Sequence, residues 1–286
     1  MSQRPEPPDR RRVIEDVRRT STRKGRESLG LFAVEGRRML ERGLRAGWGP
    51  RALLVASSEL RAASELSATL ARVEALGGRW HEVPDAELLA LSEGRRSGLL
   101  SALFPLPPAL PFAELWARAP GAGLFLVLVD VVEPGNVGAL IRTALACGAQ
   151  GAICVGSTDP FHPKAARTSL GSVFKLPLVR VASSEGLIAA LREHGVHSLA
   201  TVARDGTSLE RAVWPRGDLA LLMGNEGAGL PERVRDAADQ RVTIDLSSQA
   251  DSFCVNAAAA VCLYEVQRRR RFELDFAEGP AREKLA

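Results

Sequence analysis

The residues most able to do chemistry lie in three turns of the second half of the chain. The first reads Asp130-Val-Val-Glu-Pro-Gly-Asn-Val-Gly-Ala-Leu-Ile-Arg142. Glu133-Pro134-Gly135 stops an apolar run, Asn136 is suited to cap a following helix, and Gly138 lets another backbone approach. Arg142 stands about one helical turn below Gly138. It is either a functional group at a site or an ordinary surface arginine. The second turn, Gly224-Asn-Glu-Gly-Ala-Gly-Leu230, follows an apolar run and frees backbone N–H groups for a ligand. It lacks the Gly-Lys-Ser/Thr of a Walker loop and the order of a dinucleotide fingerprint. The third, Ile244 to Asn256, is a polar loop that enters a helix of small residues, Ala257–Ala260.

Other chemistries have less support. His194 and His197 flank a glycine with no third ligand in view, so no metal is expected. Cys147, Cys154, Cys254 and Cys262 form no CxxC pair and read as reduced thiols among apolar neighbours. No serine–histidine–aspartate pattern is visible.

These turns must be positioned by strands and helices. LFLVLVDVV (124–132) is apolar throughout, as expected for a strand buried on both faces. GAICVG (151–156), HSLATVA (197–203), LALLMG (219–224) and RVTIDL (241–246) follow as strands, and a last helix starts near Ser252. This predicts a parallel sheet covered by helices, with ligands outside the carboxyl ends of the strands. Upstream, strands at 31–36, 51–56, 79–84 and 97–104 alternate with helices at 37–47, 58–76 and 85–92, a small α/β domain. Between the halves, PLPPALP (105–111) excludes a helix or central strand. Residues 105–122 read as a linker with one short helical turn around Glu114–Arg118.

The chain has 286 residues, 45% hydrophobic and 25% charged, the balance of a folded protein. No stretch approaches the ~18 apolar residues of a membrane span. The amino terminus has no apolar core for a signal peptide, so cytoplasm is the expectation. Residues 1–30 hold nine basic and five acidic residues, an excess equal to the net +4 of the chain. Such an arm is either a nucleic-acid footprint or a solvated tail.

Taken in order, the three turns resemble the motifs of the SpoU-type RNA 2′-O-ribose methyltransferases of the SPOUT class. N-x-G-x-x-x-R corresponds to Asn136, Gly138 and Arg142, G-N-E-G-x-G-L to Gly224–Leu230, and the I-x-M/L … S-L-N-V helix entry to Ile244–Val255. Pro163-Lys164, Arg167, Ser169 and Gly171 match the linking segment. RKGRESLGLFAVEGRRMLERGL (23–44) and LLALSEGRRSGLLSAL (88–103) resemble the family's ribosomal-protein-like substrate-binding domain. The likeness spans about residues 15–270.

The resemblance implies an α/β SPOUT fold, a parallel sheet with a deep carboxyl-terminal trefoil knot, although knots are otherwise very rare. A small α/β RNA-binding domain precedes it. The implied divisions are a basic arm at 1–14, the RNA-binding domain at 15–104, the linker at 105–122, the methyltransferase domain at 123–272 and a tail at 273–286. It also implies S-adenosylmethionine as cofactor, beside Met223, Gly224, Ile244, Leu246 and Phe253. The catalytic set is Arg142, Asn136, Glu226 and Ser252, with Arg142 assigned the activating role. Since arginine keeps its proton at neutral pH, Arg142 is expected to orient the hydroxyl while water or a phosphate takes the proton. RNA contacts are expected from Arg23, Lys24, Arg26, Lys164 and Arg167. The partners implied are ribosomal RNA and a second copy of the chain, with no membrane and no metal. Transfer RNA, or a silent RNA-binding assembly factor, are the alternatives. One departure stands out: the family's asparagine after Ser-Leu is Cys254 here. On a continuous helix, Asn256 would face about 200° away from Cys254, so it is not expected to substitute.

Overall fold

The computed structural model describes residues 9–62, 66–92, 95, 99–118 and 123–277. They divide into two compact units, Met1–Pro108 with Asp159–Lys175, and Ala109–Thr158 with Leu176–Ala286.

In the first unit Asp9 caps α1 (Arg10–Arg19), its carboxylate accepting from the Arg12 N–H at 2.8 Å. Thr22 caps α2 (Arg23–Leu29). Then come β1 (Leu31–Glu35), α3 (Arg37–Arg45), β2 (Ala52–Ala56), α4 (Ser57–Ala62), α5 (Leu66–Ala75), β3 (Arg79–Val83), α6 (Asp85–Leu91) and β4 (Leu100–Pro105). The sheet order is β1-β4-β2-β3; β4 runs antiparallel to both neighbours, and β2 pairs in parallel with β3. The span read as one helix over 58–76 holds two, α4 and α5, with residues 63–65 outside those described. Of the arm expected at 1–14, residues 1–8 lie outside the described residues. From Arg10 the chain is helical, and Val13 and Ile14 are buried in the core of this unit.

The chain continues in the second unit with α7 (Phe112–Trp116), β5 (Leu124–Val129), α8 (Pro134–Ala146) and β6 (Gly151–Val155). The expected linker is partly core: Leu115 and Trp116 are buried, and Trp116 meets Phe125 edge-on with centroids 4.4 Å apart. Residues 119–122 lie outside those described.

Residues 159–175, expected inside the methyltransferase domain, group instead with the first unit. They hold α9 (Pro163–Thr168) and a 3-10 turn at Ser172–Phe174. The reason is a buried ion pair, Arg26 to Asp159 at 2.7 Å. An aromatic cluster adds to it, in which Phe161 and Phe174 pack on Phe32, and Phe174 also on Trp48 and Phe104.

The second unit resumes with β7 (Leu178–Val181), α10 (Leu187–Glu193), β8 (His197–Thr201), β9 (Thr207–Ser208), β10 (Leu219–Met223), α11 (Glu232–Ala237), β11 (Gln240–Thr243) and α12 (Val255–Ala277). Its sheet runs β7-β6-β5-β10-β8-β11-β9, every neighbouring pair parallel. β5, β6 and β10 are buried along their whole length, which is why their sequences are unbroken apolar runs. The order reverses between β5 and β10, and such a switch point opens a crevice at the carboxyl ends of the strands. Among the described residues no helix is long and apolar enough to cross a membrane.

Candidate active site

Met223 of β10 is level with Leu128 of β5, so the turns after the two strands start side by side. The Asn225 side chain joins them. Its Nδ2 donates to the Asp130 carbonyl at 2.9 Å, and its Oδ1 accepts from the N–H groups of Gly227 and Ala228 at 2.9 and 3.0 Å. The loop closes where Asn225 and Gly229 exchange backbone hydrogen bonds at 3.0 and 2.9 Å. Gly224 has no room for a side chain, since a Cβ there would lie 2.2 Å from the Gly229 carbonyl carbon and 2.3 Å from Leu230 N.

This loop delivers Glu226 to the start of α8. One Glu226 oxygen accepts from Asn136 Nδ2 at 2.8 Å, and the carboxylate also faces the backbone N–H groups of Glu133 and Val132 at 3.3 and 3.5 Å. Burial pushes the Glu226 carboxyl up. The donors of Asn136, Glu226, Glu133 and Val132 outweigh that and hold it below the usual carboxylate value. The cap of α8 is Glu133, whose carboxylate accepts from the Asn136 N–H at 2.7 Å, so Asn136 lies within the first turn instead of capping it.

Because an ionised carboxylate only accepts, the Asn136 amide must turn its NH2 toward Glu226 and its oxygen away. That oxygen accepts from Asn256 Nδ2 at 2.8 Å. The sequence expectation for Asn256 is therefore corrected. α12 begins at Val255, so Cys254 lies in the preceding loop and helical rotation does not relate the two residues. Asn256 enters the site in the first turn of α12, and its Oδ1 is buried without a hydrogen-bond partner among the described residues.

Beside this chain of amides lies a cleft of about 220 Å³. Met223, Gly224, Ile244, Leu246 and Phe253 all line it, with Glu226 and Ser252 on its wall. Thr201 Oγ1 donates to the Leu222 carbonyl at 2.8 Å and lies 3.5 Å from Met223 Sδ, which fixes the floor.

A model of the SpoU rRNA Methylase family matches residues 123–264, and one of the MRM3-like substrate binding domain matches residues 12–99. The chain is 30% identical to the 23S rRNA (guanosine-2′-O-)-methyltransferase RlmB of Ralstonia nicotianae over 70% of its own length and 81% of that protein. It belongs to the SpoU family. A second relative of this SpoU chain, the 23S rRNA guanosine 2′-O-methyltransferase RlmP of Bacillus subtilis, is 28% identical over 89% of this chain and 95% of that one. The SpoU methyltransferase AviRb of Streptomyces viridochromogenes, solved with AdoMet, superposes with a TM-score of 0.79 at 28% identity, over 92% of this chain and 99% of that one.

Not every expected site residue of this SpoU chain joins the network. Asn136 and Glu226 are bonded directly. Ser252 lines the cleft but is exposed and makes no hydrogen bond among the described residues. Arg142 is exposed on α8 and has no ion pair or hydrogen bond there. Of the residues expected to contact RNA, Arg23 is exposed and bonded to Glu27 at 2.8 Å, and Lys24 is exposed. Lys164 and Arg167 line a second cleft, in the first unit. Arg26 is corrected: at 1% exposure it cannot reach a polyanion, because its guanidinium is spent on Asp159 and on the Thr20 carbonyl at 2.8 Å. Asn225 and Asn256 were missed as site residues. Asn225 stands inside the glycine turn, where an amide can bond its own loop, and that signal was available. Asn256 could be found only by placing the helix start at Val255.

No group of three or more His, Cys, Asp or Glu among the described residues could hold a metal.

Proposed function

We propose that this chain is an S-adenosylmethionine-dependent methyltransferase acting on a ribose 2′-hydroxyl of ribosomal RNA. The observation that carries this reading is the cleft at the ends of β10 and β11, which abuts the Asn136–Glu226 pair. The residues present fit the cofactor. Met223, Ile244, Leu246 and Phe253 offer apolar walls to a flat base, and the glycine turn, whose Asn225, Gly227, Ala228 and Gly229 N–H groups are bonded within the loop, offers backbone C=O groups to its polar edge. When bound, the cofactor supplies an activated methyl electrophile, so the protein must chiefly align and help deprotonate a hydroxyl.

Glu226 is ionised and occupied by several donors, so it braces Asn136 and leaves the proton to others. Asn136 is a rigid post at the head of α8. Arg142 has no partner to satisfy among the described residues and is available to orient the ribose and its phosphate. Arginine does not lose its proton at neutral pH, so the hydroxyl proton passes to water or to a substrate phosphate. Ser252, on the rim, supplies a further hydrogen bond to substrate.

The same reading includes a homodimer and a carboxyl-terminal trefoil knot. Val261 and Tyr264 of α12 are 40% and 65% exposed, with Phe253 and Val132 also exposed on this unit. Exposed apolar groups of this size mark contact surfaces. The Tyr264→Glu variant is expected to sediment as a monomer where the native chain sediments as a dimer. We assign the protein to the cytoplasm, in keeping with four free cysteines.

The decisive experiment is methyl transfer from labelled S-adenosylmethionine to unmodified ribosomal RNA and tRNA, tested separately, with nucleoside mass spectrometry. A 2′-O-methyl nucleoside from the ribosomal pool is expected. Product only from tRNA redirects the substrate class, and no product from either pool overturns the activity.

A further inference from the structure

We infer that the first unit carries a cleft that receives one unstacked nucleotide of the RNA substrate, with its phosphate on a cationic rim and its base on an apolar floor. The inference rests on the RNA reading above and names a contact that the reading leaves open.

The cleft has a volume of about 240 Å³, all of it lined by the first unit. That is below the ~300–1,000 Å³ of pockets that enclose whole small molecules, so it takes in a base and leaves the phosphate on the open rim. Its rim holds Arg18, Arg95, Lys164 and Arg167, and Glu35 is the one carboxylate among the described lining residues. Glu35 accepts from Arg95 at 2.9 Å and from Arg167 at 3.4 Å, so two guanidinium groups share one negative charge. Cations thus outnumber carboxylates along the described rim, which attracts phosphate.

The floor is of a different chemistry. Val17 and Leu91, half-buried over the core residue Leu88, present apolar surface, the material on which an unstacked base rests. Between floor and rim stand two polar groups. Ser101 is 4% exposed and lines the cleft, and its hydroxyl makes no hydrogen bond among the described residues. His162 Nδ1 accepts from the Lys164 N–H at 3.2 Å, which puts the proton of the neutral ring on Nε2 and leaves a donor on the wall. Burial and the charge of Arg26 lower the His162 pKa, which keeps that ring neutral.

A small anion would not need the apolar floor, and a duplex would not fit. Proteins that read folded RNA take splayed-out bases from loops and bulges, and such a base with its phosphate matches both halves of the cleft. Arg26, although buried, shapes this wall by holding the backbone of Thr20, a lining residue, at 2.8 Å.

The test is photo-crosslinking of the full chain to ribosomal RNA transcribed with 4-thiouridine, with the crosslinked peptides identified by mass spectrometry. Methyl transfer to the same RNA is measured in parallel. Crosslinks within 17–21, 88–92 or 162–167, or at Arg95, are expected. Crosslinks confined to other surfaces, or none, overturn the cleft even if methyl transfer proceeds. Crosslinks in the cleft without methyl transfer uphold it and overturn the catalytic reading instead. Lys164 is exposed, so Lys164→Ala should fold. It is expected to weaken ribosomal RNA binding roughly tenfold and to lower the salt dependence of binding by about one counterion, with S-adenosylmethionine affinity unchanged. Unchanged RNA affinity and salt dependence in Lys164→Ala and in Arg167→Ala overturn the proposal.

Discussion

Two clefts of this molecule, one in each unit, are built from contrasting materials. In the second unit the walls are backbone turns and apolar side chains, and the polar groups there are amides locked to one carboxylate. In the first unit the walls are long cationic side chains around Glu35. The first kind needs glycine and asparagine at fixed places, because only those residues allow the turn. The second needs charge of the right sign, which many sequences can supply. One site is thus written in spacing, the other in composition.

The largest expected effect falls on the first unit. Arg26→Ala removes the guanidinium that neutralises the buried Asp159 carboxylate, and is expected to cost about 3–5 kcal/mol. Chemical denaturation should show it. If S-adenosylmethionine binding survives in that variant, the two clefts are built independently; joint loss would end the contrast drawn above. In the second unit, Gly224→Ala drives a Cβ into the Gly229 backbone. Overpacking of this kind costs about 1–3 kcal/mol, and the distorted turn is expected to lower methyl transfer about 100-fold. Cofactor binding by calorimetry should fall with it.

Arg142→Ala separates chemistry from architecture. Exposed and without a partner among the described residues, Arg142 should be removable with stability within about 0.5 kcal/mol of the native chain, cofactor affinity unchanged, and methyl transfer down about 100-fold. Unchanged activity would exclude a catalytic role. Asn256→Ala removes the donor to Asn136 and is expected to lower kcat about tenfold, the equivalent of one hydrogen bond. Asn256→Asp sets an acceptor against the Asn136 oxygen and should be worse. Equal activity in the two variants would show that the amide direction is unimportant.

The smallest effect is in pH. The Glu226 carboxyl is held below its usual 4.5, so its contribution to stability is complete above that value and fades as pH falls through the lowered one. Glu226→Gln should lose less stability on acidification than the native chain in a stability titration, the remaining acid limb coming from other carboxylates held low, Asp239 and Glu265.

Much of the second unit was legible in the sequence because buried parallel strands are unbroken apolar runs and their ends carry glycine and asparagine. All five residues expected at the cofactor line one cleft. β7 and α10 did not stand out, since β7 is only partly buried and interrupted by Arg180. Asn256 was misjudged because helix starts are the least sharply written feature of a sequence, and an error of three residues turned a neighbour of Asn136 into a residue on the wrong face. Arg26 was misjudged because its sequence neighbours are polar, while its buried partner lies 133 residues away. Local pattern carries no record of such a pairing.

That distance also sets a timetable. Asp159, Phe161 and Phe174 complete the core of a unit whose other strands are made first. At about 5–20 residues per second of synthesis, Arg26 waits roughly 7–27 seconds for its counter-ion to be made. Until then the amino-terminal unit stands on the ribosome with an unpaired cation and an open aromatic cluster, a half-finished structure. Its folding is gated by translation through the first strands of the other unit.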